Sequence, residues 1–220
     1  MESTMQIGVF TVLFQDLTFE QALERAVAGG VTAVEIGTGG YPGNHHCPMQ
    51  TLLASSERRQ EYLDALSRRN LRLSALGCQS EPLHPDRTKA QAADCLFRQT
   101  VELAGLLGVP MVNVLSGSPA GAPGDTSPNW VTCPWPLHFL AMLDYQWNQV
   151  AIPYWREATR EELKRTVLTK LNAAKGGGYI FHSHHSVPSN VPGQSYDYVV
   201  NLVRQYGRYP LQLGGFDIPF

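Results

Sequence analysis

The sequence predicts an α/β fold assembled from (βα) units, with about five parallel strands. Two observations carry this. Short apolar runs rich in β-branched residues alternate along the chain with longer stretches of helical periodicity, the pattern of a parallel sheet with right-handed crossovers. The strand runs are also nearly continuously apolar, as expected when both faces of a sheet are covered.

Gln6-Ile-Gly-Val-Phe-Thr-Val-Leu is the first strand. Asp16-Leu-Thr-Phe-Glu opens a helix in which Thr18 and Gln21 have capping-box spacing, and Gly29-Gly30 ends it. Val31-Thr-Ala-Val-Glu-Ile is the second strand, followed by a Gly/Pro/His loop over 37–49 and a single helix over 51–69. Leu71-Arg-Leu-Ser-Ala-Leu is the third strand, and residues 87–107 form a long helix stopped by Gly108. Pro110-Met-Val-Asn-Val-Leu is the fourth strand.

The Gly/Pro-rich stretch 116–136 is too long for a passive connector and predicts a loop over a binding face. A helix over 137–158 should kink or restart at Pro153. Thr159-Arg-Glu-Glu then signals a new helix, with capping spacing from Thr159 to Glu162 and no intervening strand. Gly176-Gly-Gly-Tyr-Ile-Phe reads as the entry to a fifth strand, its glycines a helix C-cap and tight turn. Tyr196–Tyr206 reads as a last helix before Gly207. Five strands fall short of the eight, in about 250 residues, that close a (βα) barrel.

Composition sets further bounds. The 220 residues are 43% hydrophobic with a net charge of −2, which gives a real core and no basic stripe for nucleic acid. No apolar run approaches the roughly 20 residues of a membrane helix, and the N-terminus lacks the form of a signal peptide. Cys47, Cys78, Cys95 and Cys133 have no C-x-x-C spacing and read as reduced thiols of a cytoplasmic protein.

Several blocks in residues 5–158 carry a resemblance: Ile7-Gly-Val-Phe-Thr-Val-Leu-Phe-Gln-Asp, Ala33-Val-Glu-Ile-Gly-Thr-Gly-Gly-Tyr-Pro-Gly-Asn, Pro82-Leu-His-Pro, Pro128-Asn-Trp-Val-Thr-Cys-Pro-Trp-Pro, Tyr145-Gln-Trp-Asn and Ile152-Pro-Tyr-Trp. In this order they resemble the sugar phosphate isomerase/epimerase family of xylose isomerase-like TIM barrels. The tail, through Gly176-Gly-Gly-Tyr-Ile-Phe-His-Ser-His-His-Ser-Val-Pro-Ser-Asn-Val-Pro and Tyr206-Gly-Arg-Tyr-Pro, resembles the C-terminal unit of the uroporphyrinogen decarboxylase/methyltransferase family. These resemblances imply a recombined, incomplete (βα) barrel, with residues 1–158 its isomerase-like part and 159–220 a decarboxylase-like terminal part of the same fold. A terminal strand closes the ring in each parent, so the implied strand order is 5-1-2-3-4. Such an open sheet leaves apolar edges, which predicts a homo-oligomer, a dimer in the simplest case.

The first resemblance implies proton transfer α to a carbonyl on a carbohydrate, assisted by a divalent metal (Mn, Mg, Co or Zn). Its metal ligands come from later strands, and no segment after residue 158 matches them. Cys78-Gln79-Ser80-Glu81 also departs from the family, which tends to have a His after the Cys. The second resemblance gives His185 the place of that family's active-site His, while His184 stands where an acidic residue is usual.

The remaining candidates lie at strand C-terminal ends, the functional face of such folds. Glu35 is a proton acceptor or substrate contact, or else a carboxylate satisfied by the Gly37–Gly40 backbone. Glu81 and His84 bind a sugar or an ion, or brace a Pro-flanked turn. His45 and His46 contact substrate or form a solvated loop pair. Trp130 and Trp135 are lid residues able to stack a sugar ring, whereas Trp147 and Trp155 read as core. His182 and His184 share one face if the fifth strand reaches them and would then be metal ligands; the alternative is that they are inherited without a metal.

Three functions follow: a sugar (phosphate) isomerase or epimerase, a non-catalytic barrel fragment with a binding or structural role, and a decarboxylase- or methyltransferase-like activity resting on the tail alone.

Overall fold

The computed structural model describes residues 6–173, 193–208, 211 and 213. The chain divides into two compact units, Met1–Ala151 and Ile152–Phe220. The first is an α/β unit around a four-stranded parallel sheet in the order β1-β2-β3-β4. The predicted fifth strand, and with it the place of a strand beside β1, lies outside the described residues. No helix among the described residues is long and apolar enough to cross a membrane.

β1 (Gly8–Phe10) is shorter than its apolar run suggested, because Thr11–Phe14 winds into a 3₁₀ turn. Apolar content does not distinguish the two: Leu13 is 71% exposed in that turn. α1 (Phe19–Ala28) starts at the predicted capping box, with Thr18 and Gln21 each satisfying the other's backbone N–H. It buries Ala22, Leu23 and Ala26, the i, i+1, i+4 stripe that faces the sheet.

β2 (Ala33–Gly40) runs on through the glycines expected to open a loop. Its pairing with β3 shifts register between Gly37 and Gly39, so the segment continues as a strand with an irregularity. Gly40 shows why a side chain is excluded: a Cβ there would lie 2.3 Å from the Gln79 carbonyl oxygen, and its φ is +73°.

The helix predicted over 51–69 is two helices, α2 (Met49–Ala54) and α3 (Ser56–Ser67). Ser55 between them is extended, and its hydroxyl accepts from the Arg58 amide as the N-cap of α3. β3 is Arg72–Gln79. α4 spans Arg87–Leu107 as predicted, started by Asp86, which accepts from the Thr88 and Lys89 amides, and stopped by Gly108 at φ +68°. β4 (Val112–Val114) closes the described sheet. One sheet face sends Val34, Ile36, Leu73 and Leu76 into a core with Leu23, Tyr62, Leu66, Leu103 and Leu107 from the helices.

α5 (Phe139–Asp144) is followed by a π-helical stretch, Tyr145–Ala151, and α6 covers Ile152–Ala173. The irregularity foreseen at Pro153 is this π-helical stretch, which runs directly into α6 just before Pro153. The helix start predicted at Thr159 is not realised. Thr159 lies inside α6, and its hydroxyl donates to the Trp155 carbonyl at 2.7 Å instead of capping Glu162. In the second unit α6 packs on α7 (Gly193–Tyr206) through Val167, Leu168, Leu171, Leu202 and Leu213. Arg160 lies over the Tyr198 ring at 4.8 Å.

Candidate functional site

The sheet face turned away from the helical core carries the polar residues. Register fixes who shares it. Phe10 pairs with Glu35 and Glu35 with Ala75; two residues further along, Gly37 pairs with Gly77 and Gly77 with Asn113. Side chains alternate with period two, so Phe10, Glu35, Gly37, Gly77 and Asn113 all project to one side.

The contacts agree. Asn113 Nδ2 donates to Glu35 Oε2 at 2.8 Å, reaching over β3. A Cβ on Gly77 would sit 2.9 Å from Glu35 Oε1 and 2.9 Å from Phe10 Cζ, so a glycine there makes room for both. The partner of Glu35 is thus the Asn113 amide, not the Gly37–Gly40 backbone. Glu35, Asn113 and Phe10 are each half-buried. Glu35 is the third residue of β2 rather than its C-terminal end, and the row beyond it has two glycines side by side, Gly37 being covered by Pro42 and the Gly43 carbonyl.

Beside Gly37 is an open depression with room for about one water molecule, about 10 Å³, lined among others by Thr11, Gln15, Pro42, Gly43 and His45. His45 is exposed. His46 does not form a solvated pair with it: its ring is only 4% exposed, donates from Nε2 to the Leu17 carbonyl at 3.0 Å and packs near Phe19. The Tyr62 hydroxyl donates to the His46 carbonyl at 2.7 Å. Burial pushes the neighbouring Cys47 thiol up to about 12, and burial, with the Cys47 charge as a smaller cause, holds Tyr62 above its ordinary value. His46 is therefore buried and hydrogen-bonded, and it also lines the depression.

Glu81 and His84 work on the loops. Glu81 Oε2 accepts from the Ser118 amide at 2.8 Å, holding the start of the long loop to the end of β3. His84 Nδ1 accepts from the Asp86 amide at 2.9 Å, just before α4. Further along, the loop is pinned by a residue the sequence did not flag. Gln146, wholly buried in the π-helical stretch, accepts from the Val131 amide at 3.0 Å and donates to the carbonyls of Ala120 and Asn129. Among these loop residues Trp130 meets Trp147 edge-on with ring centroids 5.1 Å apart. Trp147, expected in the core, is 46% exposed because the wider π turn directs it outward while Gln146 points in. Trp135 is 69% exposed and Trp155 half-buried.

Asn113 and Gly77 were also missed as site residues. A signal existed: Asn113 is the one polar residue in Met-Val-Asn-Val-Leu, and a polar side chain in a buried strand needs a partner. Gln146 had no such signal, since a glutamine in a helical stretch is ordinarily solvated.

His182, His184 and His185, and the glycines before them, lie outside the described residues. Among the described residues no three His, Cys, Asp or Glu side chains come together to hold a metal ion. Glu35 and Glu81 are each held by a different partner, Asn113 and the Ser118 amide.

No family model matches the chain. It is 41% identical over 159 residues to the uncharacterized protein YfiH of Bacillus subtilis (strain 168). The match takes in 71% of this chain and 50% of YfiH, so the chain spans about half the length of that curated relative.

Proposed function

We propose that the chain is a sugar (phosphate) isomerase- or epimerase-like protein in which Glu35 accepts a proton from the carbon next to a carbonyl. The observation that supports this reading is the Glu35–Asn113 pair on the sheet face. One carboxylate oxygen accepts from the Asn113 amide, and the other lies over Gly77 beside the Phe10 ring. A general base needs an oriented lone pair, and the Asn113 hydrogen bond orients this carboxylate. Asn113 keeps a second N–H for a substrate oxygen. Trp130 and Trp135, on the loop held by Gln146 and Glu81, are the groups to cover a sugar ring. The exposed apolar Met111, Val114 and Leu115 around β4 favour self-association of this unit.

The test is aldose–ketose and epimer exchange over a panel of pentoses, hexoses and their phosphates, with and without Mn²⁺, Mg²⁺, Co²⁺ or Zn²⁺. Turnover that Glu35→Gln abolishes supports the proposal. No turnover with any sugar or metal removes it. The second reading is then a non-catalytic barrel fragment with a binding or structural role.

A further inference from the structure

The depression beside Gly37 contains a polar group without a use. Thr11 is 1% exposed, and among the described residues its hydroxyl has no hydrogen-bond partner. Buried hydroxyls are nearly always paired, because one left unpaired has given up its water for nothing. Thr11 stands immediately after β1, where the chain turns into its 3₁₀ segment, and it lines the depression together with Gly37.

The position is informative. Gly37 follows Glu35 by two residues with no register shift between them, so both face the same side, one repeat or about 7 Å apart. On that side Gly37 is covered by Pro42 and the Gly43 carbonyl, which also wall the depression. The space is the size of one water molecule, too small for a sugar ring or a phosphate and right for a single hydroxyl. Gln15 and His45, on the rim, each bring donors and acceptors.

We infer that this depression is a subsite for one hydroxyl group of a polyol or sugar, bound through the Thr11 hydroxyl. The inference rests on the reading of Glu35 as the proton acceptor only for its choice of a carbohydrate; the site itself is argued from Thr11 and the cavity. Thr11 is thus the binding residue for that hydroxyl group.

Binding is measured on the full chain by amide chemical-shift titration with xylitol, and with its fully O-methylated ether as control. The expected result is saturable shifts at residues 11, 15, 37, 43 and 45 with xylitol and none with the ether, which is too large for the cavity. Thr11→Val should weaken xylitol binding about threefold to tenfold, the worth of one hydrogen bond. Thr11→Ser, which keeps the hydroxyl, should bind within about twofold of the parent chain, and this holds the test open if the valine variant fails to fold. Absence of saturable shifts at these residues, equal binding by the ether, or equal binding by Thr11→Val overturns the inference. Glu35→Gln should leave xylitol binding intact. Binding without sugar turnover therefore refutes the proton-transfer reading alone, and turnover without binding refutes the subsite alone.

Discussion

Glu35 of β2 and Asn113 of β4 are separated by 78 residues and by a whole intervening strand, yet they meet at 2.8 Å. The strand between them permits this because it presents Gly77 at that point. A carboxylate on a parallel sheet normally competes with side chains from the neighbouring strand; here it lies over bare backbone.

Gly77→Ala should therefore act on the site and on stability together. The new Cβ would stand 2.9 Å from both Glu35 Oε1 and Phe10 Cζ. Both are the far ends of side chains and can move, so the cost should be about 1–2 kcal/mol, at the low end for overpacking. Urea unfolding measures it. An unchanged midpoint would mean that Glu35 and Phe10 do not hold these positions.

The long loop depends on Gln146. Gln146→Leu preserves volume but strips partners from the Val131 N–H and from the Ala120 and Asn129 carbonyls. With these groups unpaired, the loss should be about 2–4 kcal/mol, less whatever water restores. Limited proteolysis should then cut within 116–136 while leaving β1–β4 intact. A variant as stable and as protease-resistant as the parent would refute the pinning role.

A buried hydroxyl pair ties the sheet to α4. Thr38 Oγ1 lies 3.1 Å from the Gly77 carbonyl oxygen and 2.8 Å from Thr100 Oγ1, which lies 2.9 Å from the Leu96 carbonyl oxygen; one hydroxyl donates to the other, and the second donates to its carbonyl. Thr38→Val and Thr100→Val should each cost about 1–2 kcal/mol, since each strands its partner. The double variant should cost clearly less than the sum, because two valines leave no hydroxyl unpaired. Strict additivity in a double-mutant cycle would show that the hydroxyls are not coupled.

The start of α4 should be pH-sensitive. The Thr88 and Lys89 amides hold the Asp86 carboxyl below its ordinary value, chiefly by hydrogen bonds to the ionised form. A depressed folded value means that this stabilisation is present above the unfolded carboxylate value, about 3.9, and is lost as pH falls through the folded one. Asp86→Asn keeps a capping oxygen without the charge. Its Tm deficit relative to the parent chain should be constant near neutral pH and shrink on acidification below about pH 4. A deficit that does not vary with pH would contradict this.

Much of the fold was legible because it is set locally. The Thr18–Gln21 capping box and the Asp86-to-Gly108 limits of α4 depend on side chains within a turn of the helix ends, and they stand where the sequence put them. The errors share one cause. Gly37, Gly39 and Gly40 look like a loop in isolation, and only the pairing with β3, closest at Gln79, makes the segment a strand. Thr159 has a capping pattern, but a helix already under way makes it an interior residue. In the site, Glu35 was visible as a lone acid at the end of an apolar run. Asn113, Gly77, Thr11 and Gln146 acquire meaning only from partners brought by topology, which spacing along the chain does not encode.

The central claim is that Glu35 takes a proton from a carbon beside a carbonyl. Exchange of that proton with solvent tests it most directly, since exchange registers proton transfer even where net isomerisation is slow. The chain is incubated in D₂O with each sugar of the panel, with and without divalent metals, and the α-proton resonance is followed by ¹H NMR. The account predicts wash-out of that resonance by the parent chain, slowed at least about hundredfold in Glu35→Gln. Equal wash-out by Glu35→Gln, or none by the parent chain with any sugar and metal, would contradict it.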